Sequence, residues 1–153
     1  MPERRHSRSR RRAEMYDKIL IANDGSEGAA RALDVAIKLA HRLRAKLHMI
    51  SVEELTGVPA TIDEVVEEEL EEKHRFGPVI AQAQFKARSA HVTLETHVMA
   101  GHAVRAIVDF IEREHFDLLV IGYMGHSALY NRLIGSTTDR LVELAPCQVL
   151  VVK

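Results

Sequence analysis

The chain has 153 residues, a formal net charge of -1 and one cysteine, which is length enough to bury a core without disulfide or metal staples. A single cysteine excludes an internal disulfide and suits a reducing, cytoplasmic setting, and no apolar run approaches the roughly 18 residues of a membrane span. The charge is uneven: residues 1–14 carry six arginines and two glutamates, a balance of +4, leaving -5 for the rest, so the body offers no basic footprint for nucleic acid.

Residues 1–14, MPERRHSRSRRRAE, have no apolar periodicity and are expected to be a disordered basic leader. They lack the apolar centre of a secretory signal. The leader reads as a solvated extension or as sequence upstream of a start at Met15, with a nucleic-acid-binding arm as the third reading. Residues 15–153 form the domain. Lys18 to Asn23 is the first strand, ended by Asp24-Gly25-Ser26. Ser26 is a candidate N-cap for a helix whose apolar residues, Ala29 to Leu43, recur at helical spacing. Asp24 stands at the carboxyl end of a central strand, where open α/β sheets place ligands. An Asx-turn is its alternative role.

Ala45 to Val52 is the second strand, and His48 within it reads as a packed or face-exposed residue. Glu53 to Ile62, with Gly57 and Pro59, is a loop placed to act as a flap. Asp63 to Ala90 is helical, with a kink or break expected at Gly77-Pro78 and a solvated acidic face over Glu67 to Glu72. Val92, Leu94, Thr96 and Val98 alternate with His91, Thr93, Glu95 and His97, the pattern of an edge strand with one wetter face. A helix follows from Ala103 to Glu114. His97 and His102 have no cysteine or carboxylate partner at ligand spacing, so no metal site is expected.

Asp117 to Thr138 is the most informative stretch. An apolar run, Leu118 to Ile121, ends at Gly122; Gly125 follows, and nine residues separate it from Gly135, Ser136 and Thr137 at the start of a helix. Strand-to-helix connections usually take about 2 to 6 residues, so a loop this long has something to hold. Glycines admit close backbone approach, and a helix N-terminus offers unpaired N–H groups and positive potential, so the stretch reads as a phosphate cradle. The alternative is that Ser136 or Thr137 only caps the helix. Arg132 is the cation within the loop, and it faces either phosphate or solvent. There is no Walker A lysine and no dinucleotide fingerprint. Gln148 to Val152 is the last strand, headed by Cys147, which reads as a buried, inert thiol. Five strands alternating with four helices call for a single α/β domain built on an open parallel sheet with helices on both faces.

Gly122, Gly125, Gly135 and Ser136 fit the G-x(2)-G-x(9)-G-[ST] signature, and the chain from Met15 to Lys153 resembles the ATP-binding branch of the universal stress protein family. YDKILIANDGS and APCQVLVVK resemble that family's first and last strands. The resemblance implies the strand order 3-2-1-4-5, which brings the first and fourth strands together at a ligand crevice. It implies ATP, with magnesium, as the cofactor. Asp24, preceded by Ala22 and Asn23, would lie beside the ribose or metal. Ser51 and Val52 would receive the adenine, although relatives often carry an aliphatic residue where Ser51 stands. Ile121, Gly122, Gly125, His126, Gly135, Ser136 and Thr137 would line the phosphates. The resemblance further implies a stress-response homodimer pairing through Gln148 to Lys153. Neither a water-positioning residue nor a lysine clamp is evident, so hydrolysis is expected to be slow at most. A protein-interaction module of the same fold without nucleotide is the competing function.

Overall fold

The computed structural model describes residues 15–54, 62–124 and 134–153, with side chains of the second helix from Arg75 onward. In chain order the elements are β1 (Lys18–Ala22), α1 (Glu27–Leu43), β2 (Lys46–Glu53), α2 (Ile62–Ser89), β3 (Leu94–Ala100), α3 (Ala103–Glu114), β4 (Leu118–Gly122), α4 (Ser136–Leu144) and β5 (Gln148–Val152). The strands form one parallel sheet in the order β3-β2-β1-β4-β5, as expected.

Because successive strand residues point to opposite faces, each strand feeds two cores. Ile19, Ile21, Met49 and Val120 pack with α1 and α2, while Leu20, Ile50, Leu119 and Ile121 pack with α3 and α4. Central β1, covered on both faces and paired on both edges, is apolar throughout its middle, and Ile19, Leu20 and Ile21 are wholly buried.

Two sequence expectations need correction. Of the kink or break expected at Gly77-Pro78, the break is what the structure overturns; α2 runs through Pro78 from Ile62 to Ser89. A helical proline costs about 3 kcal/mol, which burial offsets here. Phe76 before the proline and Ala83 and Ala87 after it are at most 3% exposed, and burying one phenylalanine alone contributes about 1.5–3 kcal/mol. The second correction concerns β3, which does lie at the sheet edge. Val98, expected inward, is exposed, whereas His97, expected on the wetter face, is half-buried with its ring centroid 4.8 Å from that of Phe110. The register explains this, since His97 pairs with Ile50 and so belongs to the face that α3 covers. No described helix is long and apolar enough to cross a membrane.

Candidate functional site

The chain leaves β1 toward β2 on one side and enters β4 on the other, so a crevice opens beyond the carboxyl ends of β1 and β4. A cleft of about 280 Å³ lies there. Ala22, Asn23, Asp24, Val52, Ile121, Gly122, Gly135, Ser136 and Thr137, all singled out from the sequence, share its walls. Gly125, His126 and Arg132 lie outside the described residues.

Ser51 is the predicted residue that the cleft does not receive. It is 1% exposed, and its hydroxyl donates to the Asn23 carbonyl at 2.7 Å. Its side chain therefore clamps β2 to the exit of β1, and its neighbours Ile50 and Val52, on the other face of the strand, line the cleft instead. Asn23 is likewise committed to architecture. Its Oδ1 accepts the Gly25 N–H at 2.9 Å, its Nδ2 contacts Met49 Sδ at 3.4 Å, and its backbone N–H reaches the Ile50 carbonyl. Asp24 does build the Asx-turn, with Oδ1 accepting the Ser26 N–H at 2.9 Å, yet it remains exposed on the cleft wall. The two roles considered for it are compatible.

Three helices begin around the cleft, and their first N–H groups fare differently. At α1 the Ser26 hydroxyl accepts from Ala29 N–H at 3.1 Å, so the terminus is capped by its own chain. At α3 the N-cap His102 makes no side-chain cap, and the Glu54 carboxylate accepts from Ala103 N–H at 3.3 Å. At α4 the N-cap is Gly135, which has no side chain to cap with. Ser136 and Thr137 are not caps, contrary to one expectation. They are the first helical residues, exposed on the cleft wall. Thr138 also lines the cleft, but its hydroxyl is spent on the Gly122 carbonyl, to which it donates at 2.7 Å, and this ties α4 to the end of β4. The start of α4 thus presents N–H donors and the positive end of its dipole to the cleft.

Gly122 has a reason the sequence did not suggest. A Cβ there would stand 2.7 Å from the Gly28 carbonyl carbon, and one on Gly28 would stand 2.4 Å from the Met124 carbonyl oxygen. The two glycines let α1 press its first turn against the β4 exit, backbone on backbone. This close approach brings the α1 turn and the exit of β4 to one crevice.

Arg75 and Phe76 also line the cleft and were not anticipated. They come from the middle of α2, far from any motif, and only the unbroken course of that helix brings them over the sheet. Arg75 is the cation on the described walls, which carry no lysine. At the far end of β4, Cys147 is half-buried, and burial pushes its thiol pKa up, consistent with an inert thiol.

An open parallel α/β domain with a cleft of mixed polar and apolar lining at its switch point is the class so defined. The chain belongs to the universal stress protein family, whose sequence profile matches residues 15–153. It is 30% identical over 148 residues to the universal stress protein YxiE of Bacillus subtilis, covering 91% of this chain and all of YxiE. Among solved structures it is similar to UspA of Lactobacillus plantarum, with TM-score 0.80, 29% identity, and coverage of 90% of this chain and 98% of that one. It is also similar to a universal stress protein solved in complex with cAMP, with TM-score 0.71, 26% identity, and coverage of 90% and 97%.

Proposed function

We propose that the cleft binds an adenine nucleotide, ATP with magnesium, and that the protein is a nucleotide-responsive regulator of the stress response rather than a catalyst. The observation that carries this reading is the N-terminus of α4, which has no side-chain cap among the described residues and opens onto the cleft beside Gly122. Several N–H groups there can hold phosphate oxygens, each contributing about 0.3–1 kcal/mol, and up to about 2 kcal/mol when partly buried. Gly125 and His126 belong to the same cradle by sequence. Ile50 and Val52 give the base an apolar wall, with backbone groups at the end of β2, Ser51 included, for its polar edge. Asp24, on the wall opposite α4, suits a ribose hydroxyl or the metal. The cAMP-bound relative supports a nucleotide as the ligand class.

We propose slow hydrolysis at most, a reading supported by the described walls, where Arg75 is the cation and no lysine stands ready to stabilise a transferring phosphoryl group. The regulatory unit we propose is a homodimer paired through β5, the half-buried apolar edge strand that otherwise invites uncontrolled pairing.

Mass spectrometry of small molecules released on denaturing the purified protein, with calorimetric titration of ATP and magnesium, tests the reading. Retained adenine nucleotide or saturable micromolar binding supports it. An empty protein and no titratable heat would reassign the domain as an interaction module.

A further inference from the structure

A second cluster of polar side chains lies away from the cleft, on the α3 face near the sheet edge. In the β2–β3 register His48 stands opposite Glu95 and Ile50 opposite His97. Residues two apart on a strand point the same way, so His48, Glu95 and His97 share one face although 46 residues separate His48 from Glu95. His48 Nδ1 lies 3.1 Å from His97 Nε2 and 3.5 Å from Glu95 Oε2, and the three ligand atoms all fall within 4.8 Å of one another. None of the three lines the nucleotide cleft.

We propose that His48, His97 and Glu95 bind one divalent transition-metal ion, zinc being the representative case, with an open fourth position for water. Two imidazoles and a carboxylate form a donor set that zinc and its neighbours favour. Metal–ligand bonds of about 2.0–2.2 Å in a tetrahedron put ligand atoms roughly 3.3 Å apart, close to the His48–His97 and His48–Glu95 separations, with the third pair within 4.8 Å. The two rings lie nearly parallel, 9° between planes, with their facing nitrogens joined by one hydrogen bond. The ion takes the place of that bridging proton. A change of tautomer on one ring frees both nitrogens, and a tilt of the half-buried His97 makes their lone pairs converge.

The surroundings hold the ligands and keep them available. The His48 ring packs edge-on against Phe116, and His97 packs on Phe110, which fixes both imidazoles on an aromatic floor. Lys18 adds positive charge nearby, but it is engaged by Glu114 at 3.7 Å and by that residue's carbonyl. Glu95 is exposed, and with His48 it lines a surface hollow at the amino ends of β2 and β3 that gives the ion a route from solvent.

The test is calorimetric titration of zinc into the untagged full chain, repeated with cobalt(II), whose visible spectrum reports tetrahedral nitrogen and oxygen ligation. His97→Ala and Glu95→Ala remove ligands without touching the buried His48, and His102→Ala serves as a control outside the cluster. Thermal melts of the metal-free variants confirm folding, and Glu95, being exposed, supplies the decisive variant should His97→Ala unfold. We expect one equivalent to bind the wild type and His102→Ala alike. Each ligand variant should bind at least 10- to 100-fold more weakly, roughly the loss caused by removing a mere outer-sphere partner. Unchanged affinity in Glu95→Ala, or no saturable binding by the wild type, would overturn the site.

Discussion

The same dipeptide, Gly-Ser, opens both α1 and α4, and the two helices use it one residue out of step. At Gly25-Ser26 the glycine takes a left-handed turn (φ 82°) and the serine is the cap, spending its hydroxyl on Ala29 N–H. At Gly135-Ser136 the glycine is itself the cap, with extended backbone at φ -63° and ψ 145°, and the serine is already helical. One terminus is closed by its own side chain, and the other has no side-chain cap among the described residues, which on the proposed reading leaves it for a ligand. Composition alone does not separate the two termini; the register of the cap does.

Breaking the frame that holds both termini has the largest expected effect. Gly122→Val would place side-chain carbon inside the α1 backbone around Gly28. Overpacking costs about 1–3 kcal/mol where neighbours can shift, and here they are main chain, so we expect the upper end or more in denaturant melts, with nucleotide binding lost.

Ser136→Pro sharpens the contrast without breaking the helix. Proline is favoured at the first helical position, and Gly135 already has the extended backbone that a residue before proline requires. The variant deletes one N–H donor facing the cleft. Nucleotide affinity should fall by up to about 2 kcal/mol, roughly 30-fold, with the melting temperature unchanged or raised.

Ser26→Ala is the mirror experiment. It removes a cap, so stability should fall by about 1 kcal/mol. Affinity should change far less than in Ser136→Pro. Equal losses of affinity in the two variants would erase the distinction between the termini.

The smallest effect involves the region outside the cleft. The folded His48 has a lowered pKa, chiefly through burial, so the unfolded chain binds its proton more readily. Its contribution is complete above the ordinary histidine value of about 6.5 and is lost as pH falls through the lower folded value. Denaturant melts should therefore show stability declining on acidification from pH 6.5, and His48→Gln should flatten that part of the profile.

Much of this arrangement was legible in the sequence because it is written in local patterns. Apolar runs mark β1 and β4, helical spacing marks α1 and α3, and the glycine signature marks the switch-point loop. What escaped depends on contacts between distant segments. Whether Pro78 interrupts α2 is decided by what Phe76, Ala83 and Ala87 bury against, which periodicity does not weigh. Arg75 and Phe76 reach the cleft only because that helix continues. The family resemblance brings Ser51 to the site through its backbone, and what it does not reveal is that strand alternation turns the Ser51 hydroxyl to Asn23. His48, Glu95 and His97 looked unrelated because ligand spacing was sought along the chain, whereas strand register brings them together.

The central claim is that the phosphates sit on α4 and not on α1. Backbone amide NMR of the isotopically labelled protein, titrated with ATP and magnesium and separately with adenosine, tests it most directly. The account predicts that ATP moves the amides of Ser136, Thr137 and Thr138 most, and that adenosine leaves them nearly in place while shifting residues at the end of β2. Larger ATP-dependent shifts at Gly28 and Ala29 than at Ser136 and Thr137, or none at either terminus, would contradict it.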